Sequence, residues 1–203
     1  MDSATSESTS AGQHLAPSVA RSVKVLVVGA FGVGKTTLIG SVSEIEPLRT
    51  EEQITTASVG IDPGRPEKST TTVALDFGRL TVSSEIALYM FGTPGQRRFW
   101  DLWAGLADGA VGALVMVDTR SIESSFEVLD QLELRTKMPF AVVINQFPDS
   151  PQYPVERIRA ALDLLPTTPI VRCDARNKTS AAQALVQLVE HALTYPAFAE
   201  APA

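Results

Sequence analysis

The sequence predicts an α/β domain with a mostly parallel, mixed β-sheet. Short apolar runs alternate along the chain with stretches of helical periodicity. The central runs are almost wholly apolar, which is typical of strands that are buried on both faces. A glycine-rich turn separates the first run from the first helical stretch. Strands that alternate with helices form right-handed βαβ units, so most strands of this sheet are expected to be parallel.

The predicted strands are short, and one pair of them departs from the parallel pattern. Two extended segments, 73–80 and 85–91, are separated by only a few polar residues. This proximity predicts an antiparallel hairpin inserted after the first helix, which makes the sheet mixed. The remaining predicted strands cover residues 23–28, 111–117, 140–144 and 169–173.

Four stretches are predicted to be helical, and three of them carry the apolar periodicity of an amphipathic helix. The first begins at Lys35, directly after the glycine-rich turn. The apolar positions of the other three are Ile122, Phe126 and Leu129; Ile158, Ala161, Leu162 and Leu165; and Ala181, Leu185, Leu188, Val189 and Ala192.

The composition bounds the class of protein. Hydrophobic residues make up 44% of the 203 residues and charged residues 20%, which is typical of a globular domain. No apolar run approaches the ~20 residues that cross a bilayer, so no integral membrane segment is expected. A net charge of -6 without a basic block argues against nucleic-acid binding. The single cysteine, Cys173, excludes an internal disulfide and a cysteine-built metal site. A cytoplasmic location is expected.

The chain divides into one domain and two tails. Residues 1–20 are rich in Ser, Thr and Ala and lack the long apolar stretch of a secretory signal, so we expect a disordered N-terminal tail. Residues 195–203 contain two prolines that end any helix, and we expect a C-terminal tail there. Residues 21–194 form the predicted domain.

The turn after the first strand carries a phosphate-binding motif. Gly29-Ala30-Phe31-Gly32-Val33-Gly34-Lys35-Thr36 matches G-x-x-x-x-G-K-[ST] between a strand and a helix, which is the context that the motif requires. Backbone amides of this loop surround phosphates, the Lys35 ammonium meets the β/γ oxygens and the Thr36 hydroxyl ligates Mg²⁺. The predicted phosphate-binding residues are Gly29, Phe31, Gly32, Val33, Gly34, Lys35, Thr36 and Thr37.

A phosphate loop is common to kinases, ATPases and GTPases, and three further motifs bear on that choice. They are Gly92-Thr93-Pro94-Gly95-Gln96, the Thr-rich stretch that ends in Asp76-Phe77-Gly78, and Asp174-Ala175-Arg176. With these motifs the chain resembles the bacterial small GTPases related to MglA, and more closely the conservon-type GTPases of actinobacteria, from about residue 23 to 193. The resemblance implies a Ras-like three-layer α/β/α P-loop domain that binds GTP or GDP with Mg²⁺, hydrolyses GTP and acts as a molecular switch.

The resemblance also implies roles for single residues. Thr72 aligns best with the threonine that ligates Mg²⁺ in the first switch, although a Thr-rich segment also suits an exposed strand edge. Gln96 aligns with the glutamine that orients the attacking water, and it joins Lys35 as a predicted catalytic residue. Gly95 is predicted to contact the nucleotide. The loop that contains residues 53–68 is expected to be a mobile switch or a plain connection.

Two departures from the family pattern concern the Mg²⁺ ligands and the rate of GTP hydrolysis. Gly92 stands where the D-x-x-G aspartate belongs, and Asp76 is the available substitute as a metal ligand unless it is an ordinary surface residue of its strand. MglA-like proteins place an arginine before the switch threonine, but this chain has Thr71 there. A missing arginine removes about 10³–10⁵ in rate from Ras-like enzymes, so slow hydrolysis is expected.

The predicted base pocket departs from the pattern as well. Asn145 matches the first residue of N-K-x-D, but the acid comes one residue late, as Asp149. Asp174 and Ala175 replace the loop whose backbone amide meets guanine O6 in Ras-like proteins. Asp174 either reads the base or stabilises a turn. Without a carboxylate in the pocket, guanine specificity weakens and adenine becomes possible.

Partners and rival functions follow from the same residues. The resemblance implies a roadblock/LC7-type regulator and other proteins encoded in the same operon. The rivals are a nucleotide-binding scaffold without turnover, which Gly92 and the absent arginine favour, and a P-loop ATPase or small-molecule kinase. The aromatic residues of the second switch, Phe99, Trp100 and Trp103, either pack in the core or form a partner surface.

Overall fold

The computed structural model describes residues 21–46, 48–55, 70–95 and 101–195. Seven strands in these residues form one sheet in the order β2-β3-β4-β1-β5-β6-β7. Both predicted tails, apart from Tyr195, lie outside the described residues. The strands are β1 Arg21–Gly29, β2 Leu48–Thr55, β3 Thr70–Thr81, β4 Ile86–Gly92, β5 Ala110–Val117, β6 Phe140–Asn145 and β7 Ile170–Cys173.

The sheet is mixed and mostly parallel, as predicted. β1 lies between β4 and β5 and is parallel to both, and the parallel set continues through β6 to β7. β3 and β4 form the predicted antiparallel hairpin. β2 was not predicted: Gln53, expected in a loop, pairs with Thr72 of β3 in an antiparallel ladder. Its sequence, LRTEEQIT, is largely polar and lies at one end of the strand order, so it lacks the apolar pattern of a central strand.

The helices match the predicted periodicity with one shortening. They are α1 Lys35–Val42, α2 Asp101–Ala107, α3 Phe126–Arg135, α4 Val155–Ala161 and α5 Lys178–Leu193, and a 3₁₀ turn at Ile122–Ser125 precedes α3. The prediction for α4 extended to Leu165, but the helix ends at Ala161 and Leu165 is 64% exposed. Asp163 adopts a left-handed conformation (φ 49°), which terminates helices.

Helices cover both faces of the sheet. Val25 and Val27 of β1 face a cluster that contains side chains of α1 and α5, whereas Leu26 and Val28 face a cluster with residues of α2, α3 and α4. This alternation is the period of a strand that is buried on both faces. Trp103 is 1% exposed and belongs to the second cluster, so it packs in the core. Phe99 and Trp100 lie outside the described residues.

The topology fixes where a ligand binds. The parallel strands β1, β4, β5, β6 and β7 end at the same edge of the sheet, and the chain order reverses at β1, which has β4 on one side and β5 on the other. Open α/β sheets bind ligands outside the carboxyl ends of their strands at such a reversal. In the part of the chain that the structure describes, no helix combines the length and apolar character that crossing a membrane requires.

Candidate functional site

The phosphate loop joins the carboxyl end of β1 to the amino end of α1. Gly34 caps α1 with a left-handed backbone (φ 106°), and a Cβ at this position would lie 2.5 Å from Asn145 Nδ2. Within the described part of the chain, no side chain caps the helix, and no acidic residue occupies its first turn. The first backbone amides of a helix lack intrahelical partners and favour anions, so this end of α1 suits a phosphate group.

Lys35 is held inside the phosphate loop. Its side chain is buried, and Nζ donates hydrogen bonds of 2.8 Å to the carbonyl oxygens of Gly29 and Ala30. Burial lowers the pKa of Lys35 to about 8, against a smaller opposing effect of the Asp76 carboxylate. The two carbonyl oxygens and Asp76 therefore do not fully offset the cost of burying the Lys35 charge. A phosphate oxygen beside the ammonium would stabilise its charged form.

Thr36 and Asp76, two of the three predicted metal ligands, are in contact. Thr36 Oγ1 donates a hydrogen bond of 2.5 Å to Asp76 Oδ2. Asp76 of β3 pairs with Gly92 of β4, and a Cβ on Gly92 would lie 3.0 Å from the Cβ and 3.2 Å from the Oδ2 of Asp76. The absence of a side chain at Gly92 therefore leaves room for the Asp76 carboxylate. A hydroxyl and a carboxylate beside a phosphate loop are hard oxygen ligands, so the donor set fits Mg²⁺.

Thr72, the third predicted metal ligand, lies apart from the other two. It is four residues from Asp76 on the same strand, a separation of about 13 Å along the strand axis. Gly95 packs against the backbone of the phosphate loop, because a Cβ on Gly95 would be 2.6 Å from Phe31 N and 2.9 Å from Gly29 O. Gln96, the predicted water-positioning residue, lies outside the described residues.

Asn145 joins the phosphate loop to the loop that follows β7. It is 3% exposed, at the end of β6. Its Nδ2 donates to Val33 O at 2.9 Å, and its Oδ1 accepts a hydrogen bond of 3.1 Å from the backbone amide of Ala175. Three predicted nucleotide-binding residues thus meet at this carboxamide.

Asp149 and Asp174, the two carboxylates considered for base recognition, have different partners. The exposed Asp149 accepts a hydrogen bond of 3.1 Å on Oδ1 from Arg120 Nη1. Asp174 receives the backbone amide (3.0 Å) and Nε (2.9 Å) of Arg176 on Oδ1 and Nη2 (2.9 Å) on Oδ2. The hydrogen bond from the Arg176 side chain is the main cause of the lowered pKa of Asp174. Both oxygens of Asp174 are therefore engaged within its own turn.

Arg120 is a residue of this site that the motif comparison missed. It follows β5 as part of Asp118-Thr119-Arg120, and its guanidinium carbon lies 3.7 Å from the centroid of the Phe147 ring. Burial acts to raise the pKa of Asp118, but hydrogen bonds from Arg120 outweigh that effect and the pKa is lowered. The signal in the sequence was the change from a fully apolar strand to three polar residues at the edge where the phosphate loop lies.

Comparisons with known proteins agree with this geometry. The chain matches the model of a family described as "conserved hypothetical ATP binding protein" over residues 27–195. It is 32% identical over 125 residues to "Uncharacterized protein MJ1339" of Methanocaldococcus jannaschii, an alignment that covers 61% of this chain and 70% of that protein.

Two solved structures of an iron transporter from T. maritima, FeoB, share the fold. The G domain is 16% identical with a TM-score of 0.57, and the match covers 85% of this chain and 99% of that one. The cytosolic domain, in its GDP form I, is also 16% identical with a TM-score of 0.60, and the match covers 87% and 65%. The chain therefore has the fold of a G domain and is a nucleotide-binding P-loop protein, and it belongs to the family described as conserved hypothetical ATP binding protein.

Proposed function

We propose that this protein binds GTP with Mg²⁺, hydrolyses it slowly and acts as a nucleotide-dependent switch in the cytoplasm. The observation that carries the proposal is the double contact of Asn145, which holds the phosphate loop against the loop of Ala175. The proposed base pocket would lie directly beside the phosphate site. The GDP form of the solved FeoB domain, which has the same fold, supports a guanine nucleotide.

The phosphate and metal groups are assigned to the residues around the loop. Lys35 and the amino end of α1 hold the β- and γ-phosphates. Thr36 ligates Mg²⁺ directly, and Asp76 acts in place of the carboxylate that Gly92 cannot supply. The bound ion would neutralise charge on the β- and γ-oxygens. Gln96 orients the water. A role for Thr72 in metal binding requires the first residues of β3 to leave their pairing with β2.

Asp149 is the carboxylate that we assign to the base. A carboxylate has about four acceptor sites. Arg176 engages both oxygens of Asp174, whereas the hydrogen bond from Arg120 to Asp149 involves Oδ1. Asp149 therefore keeps capacity to accept from guanine N1–H and the 2-amino group, and Asp174 stabilises its turn.

The switch role and the partners rest on the resemblance to conservon-type GTPases. A roadblock/LC7-type regulator would bind the surface that changes with nucleotide state, near Gly95 and α2. Thr71 stands directly before Thr72, where MglA-like proteins have an arginine, and hydrolysis without a catalytic arginine is slow. The regulator or another operon-encoded protein would then set the rate in the cell.

Replacing Asp149 with asparagine tests whether its carboxylate binds the base. Asp149→Asn is expected to lower the GDP to xanthosine-diphosphate affinity ratio by about 100-fold or more, because an amide donates to the 2-carbonyl of xanthine and cannot accept from both guanine donors. Competition calorimetry on both nucleotides measures the ratio. Asp130→Asn, at an exposed position of α3, is the matched control. An unchanged ratio, or a switch produced by Asp174→Asn instead, contradicts the assignment.

Replacing Asp76 with asparagine tests the metal site. Asp76→Asn is expected to reduce the gain in GTP affinity on adding Mg²⁺ by about 10- to 100-fold, because the charged oxygens of a carboxylate are lost from the metal site (an interaction with a charged group contributes about 1.5–3 kcal/mol). Affinity in EDTA should not change. Asp108→Asn serves as the control, since its backbone carbonyl, and not its carboxylate, bonds Lys24. An equal Mg²⁺ effect in the variant and the native protein would remove Asp76 from the site.

The description of the family favours a second candidate, an ATP-binding protein. An adenine ring offers one amino donor on its Watson–Crick edge, whereas guanine offers two adjacent donors. The Asp149 carboxylate would therefore not select adenine over guanine. Tighter binding of ADP than of GDP would make this candidate the better one.

A further inference from the structure

We infer that Arg120 is a positioning residue for base recognition, which holds the Asp149 carboxylate at the base pocket and thereby sets the preference for guanine over adenine. The inference rests on the proposed function, in which Asp149 reads guanine. It concerns a residue that belongs to none of the motifs from which that function was drawn.

Arg120 is fixed to the sheet through Asp118. Its Nε donates to both Asp118 oxygens (3.0 and 3.1 Å), and its Nη2 donates to Oδ2 at 2.7 Å. The backbone amide of Arg120 also donates to Asp118 Oδ1 at 2.9 Å. Asp118 directly follows Val117, a fully buried residue of β5. A planar guanidinium held by a fork of hydrogen bonds has little freedom to rotate, so Arg120 is a rigid support.

The remaining side of the Arg120 guanidinium contacts the loop that follows β6, here called the base loop. Nη1 donates to Asp149 Oδ1 at 3.1 Å, and the guanidinium carbon lies 3.7 Å from the centroid of the Phe147 ring. One side chain thus connects the end of β5 to two residues of the loop that follows β6. The contact engages Asp149 through one oxygen, and the other oxygen can accept from a base.

Asp149 requires such a support. Its side chain is 72% exposed, and in the resemblance to N-K-x-D it comes one residue late. An exposed side chain loses conformational entropy when it binds, and a contact that restrains it beforehand increases affinity. Asp174 needs no distant support because Arg176, two residues later, restrains it.

The turn of the base loop does not depend on Arg120. Ser150 closes it, because Phe147 N donates to Ser150 Oγ at 3.0 Å and Ser150 N donates to Phe147 O at 3.1 Å. Thr119 Oγ1 donates to Pro151 O at 2.9 Å and attaches the end of the turn to the loop after β5. Removing Arg120 should therefore release the carboxylate and leave the turn in place.

The test compares three nucleotides on the full chain. Dissociation constants of GDP, ADP and inosine diphosphate, which lacks the 2-amino group, are measured calorimetrically with Mg²⁺ for the native protein and for Arg120→Ala. We expect the variant to bind GDP about tenfold or more weakly and ADP equally well, and to lose most of the GDP preference over inosine diphosphate. Retained ADP affinity shows that the variant is folded. Arg120→Lys, which keeps the charge without the fork, should fall between the two.

Arg157→Ala is the matched control, because the guanidinium carbon of Arg157 on α4 lies 5.3 Å from the Tyr153 ring centroid, a cation–π contact beyond the turn that Ser150 closes. It should leave all three affinities unchanged. An unchanged ratio of GDP to ADP affinity in Arg120→Ala overturns the inference. If both affinities fall equally, Arg120 has a general role in loop structure and not one in base recognition. A native protein without a GDP preference overturns the proposed function itself, before any variant is compared.

Discussion

Lys35→Ala is expected to weaken GDP binding by about 10- to 10⁴-fold, since one or two charge-assisted hydrogen bonds to phosphate contribute about 1.5–3 kcal/mol each. Among the described residues, the buried ammonium donates hydrogen bonds to the carbonyl oxygens of Gly29 and Ala30. Phosphate oxygens would add negative charge beside an ammonium that burial destabilises more than Asp76 stabilises it. The measurement is a calorimetric titration with GDP and Mg²⁺.

Lys137→Ala is the control for this variant, because Lys137 is exposed and precedes β6 at the opposite edge of the sheet. Thermal unfolding of both variants checks that each is folded. If Lys35→Ala binds GDP as tightly as the control, the phosphate does not bind at this loop.

Gly34→Ala is expected to lower the free energy of unfolding of the nucleotide-free protein by about 2–5 kcal/mol. Part of this cost is the left-handed backbone at φ 106°, which strains a residue with a Cβ. The rest comes from Asn145, because a Cβ on Gly34 would lie 2.5 Å from its Nδ2. The hydrogen bond from Asn145 to Val33 O would break, and the two loops would separate. Urea unfolding measures the difference.

Gly32→Ala separates the two causes. Gly32 also has a left-handed backbone (φ 80°), but a Cβ there would have no atom within 4 Å among the described residues. It should therefore show only the cost of backbone strain, about 1–2 kcal/mol. Equal losses for the two variants would mean that the contact with Asn145 contributes nothing to stability.

The phosphate loop could be predicted from the sequence because its determinants are local. Gly29 to Thr36 act through their own backbone at a fixed spacing, and the strand and helix on either side show clear periodicities. β2 could not be predicted in this way, since a polar strand at the end of the strand order is determined by its ladder with β3. The end of α4 depended on the backbone of Asp163.

The contacts of the base pocket were harder to predict from the sequence, because they join distant parts of the chain. Asn145 bonds Val33 across 112 positions, and Arg120 bonds Asp149 across 29. No periodicity or short motif reports such pairs. The Asp174–Arg176 pair is different, since its two residues are separated by one position and a local turn was one of the two roles considered for Asp174.

Calorimetric titration of nucleotide-stripped protein with GDP and, separately, with ADP, both in Mg²⁺, tests whether the site binds a guanine nucleotide. We expect GDP to bind at least about 100-fold more tightly than ADP, because a site built to accept two guanine donors leaves its carboxylate poorly paired with adenine. Equal affinities would contradict a guanine-specific site, and tighter binding of ADP would identify an adenine-nucleotide site instead.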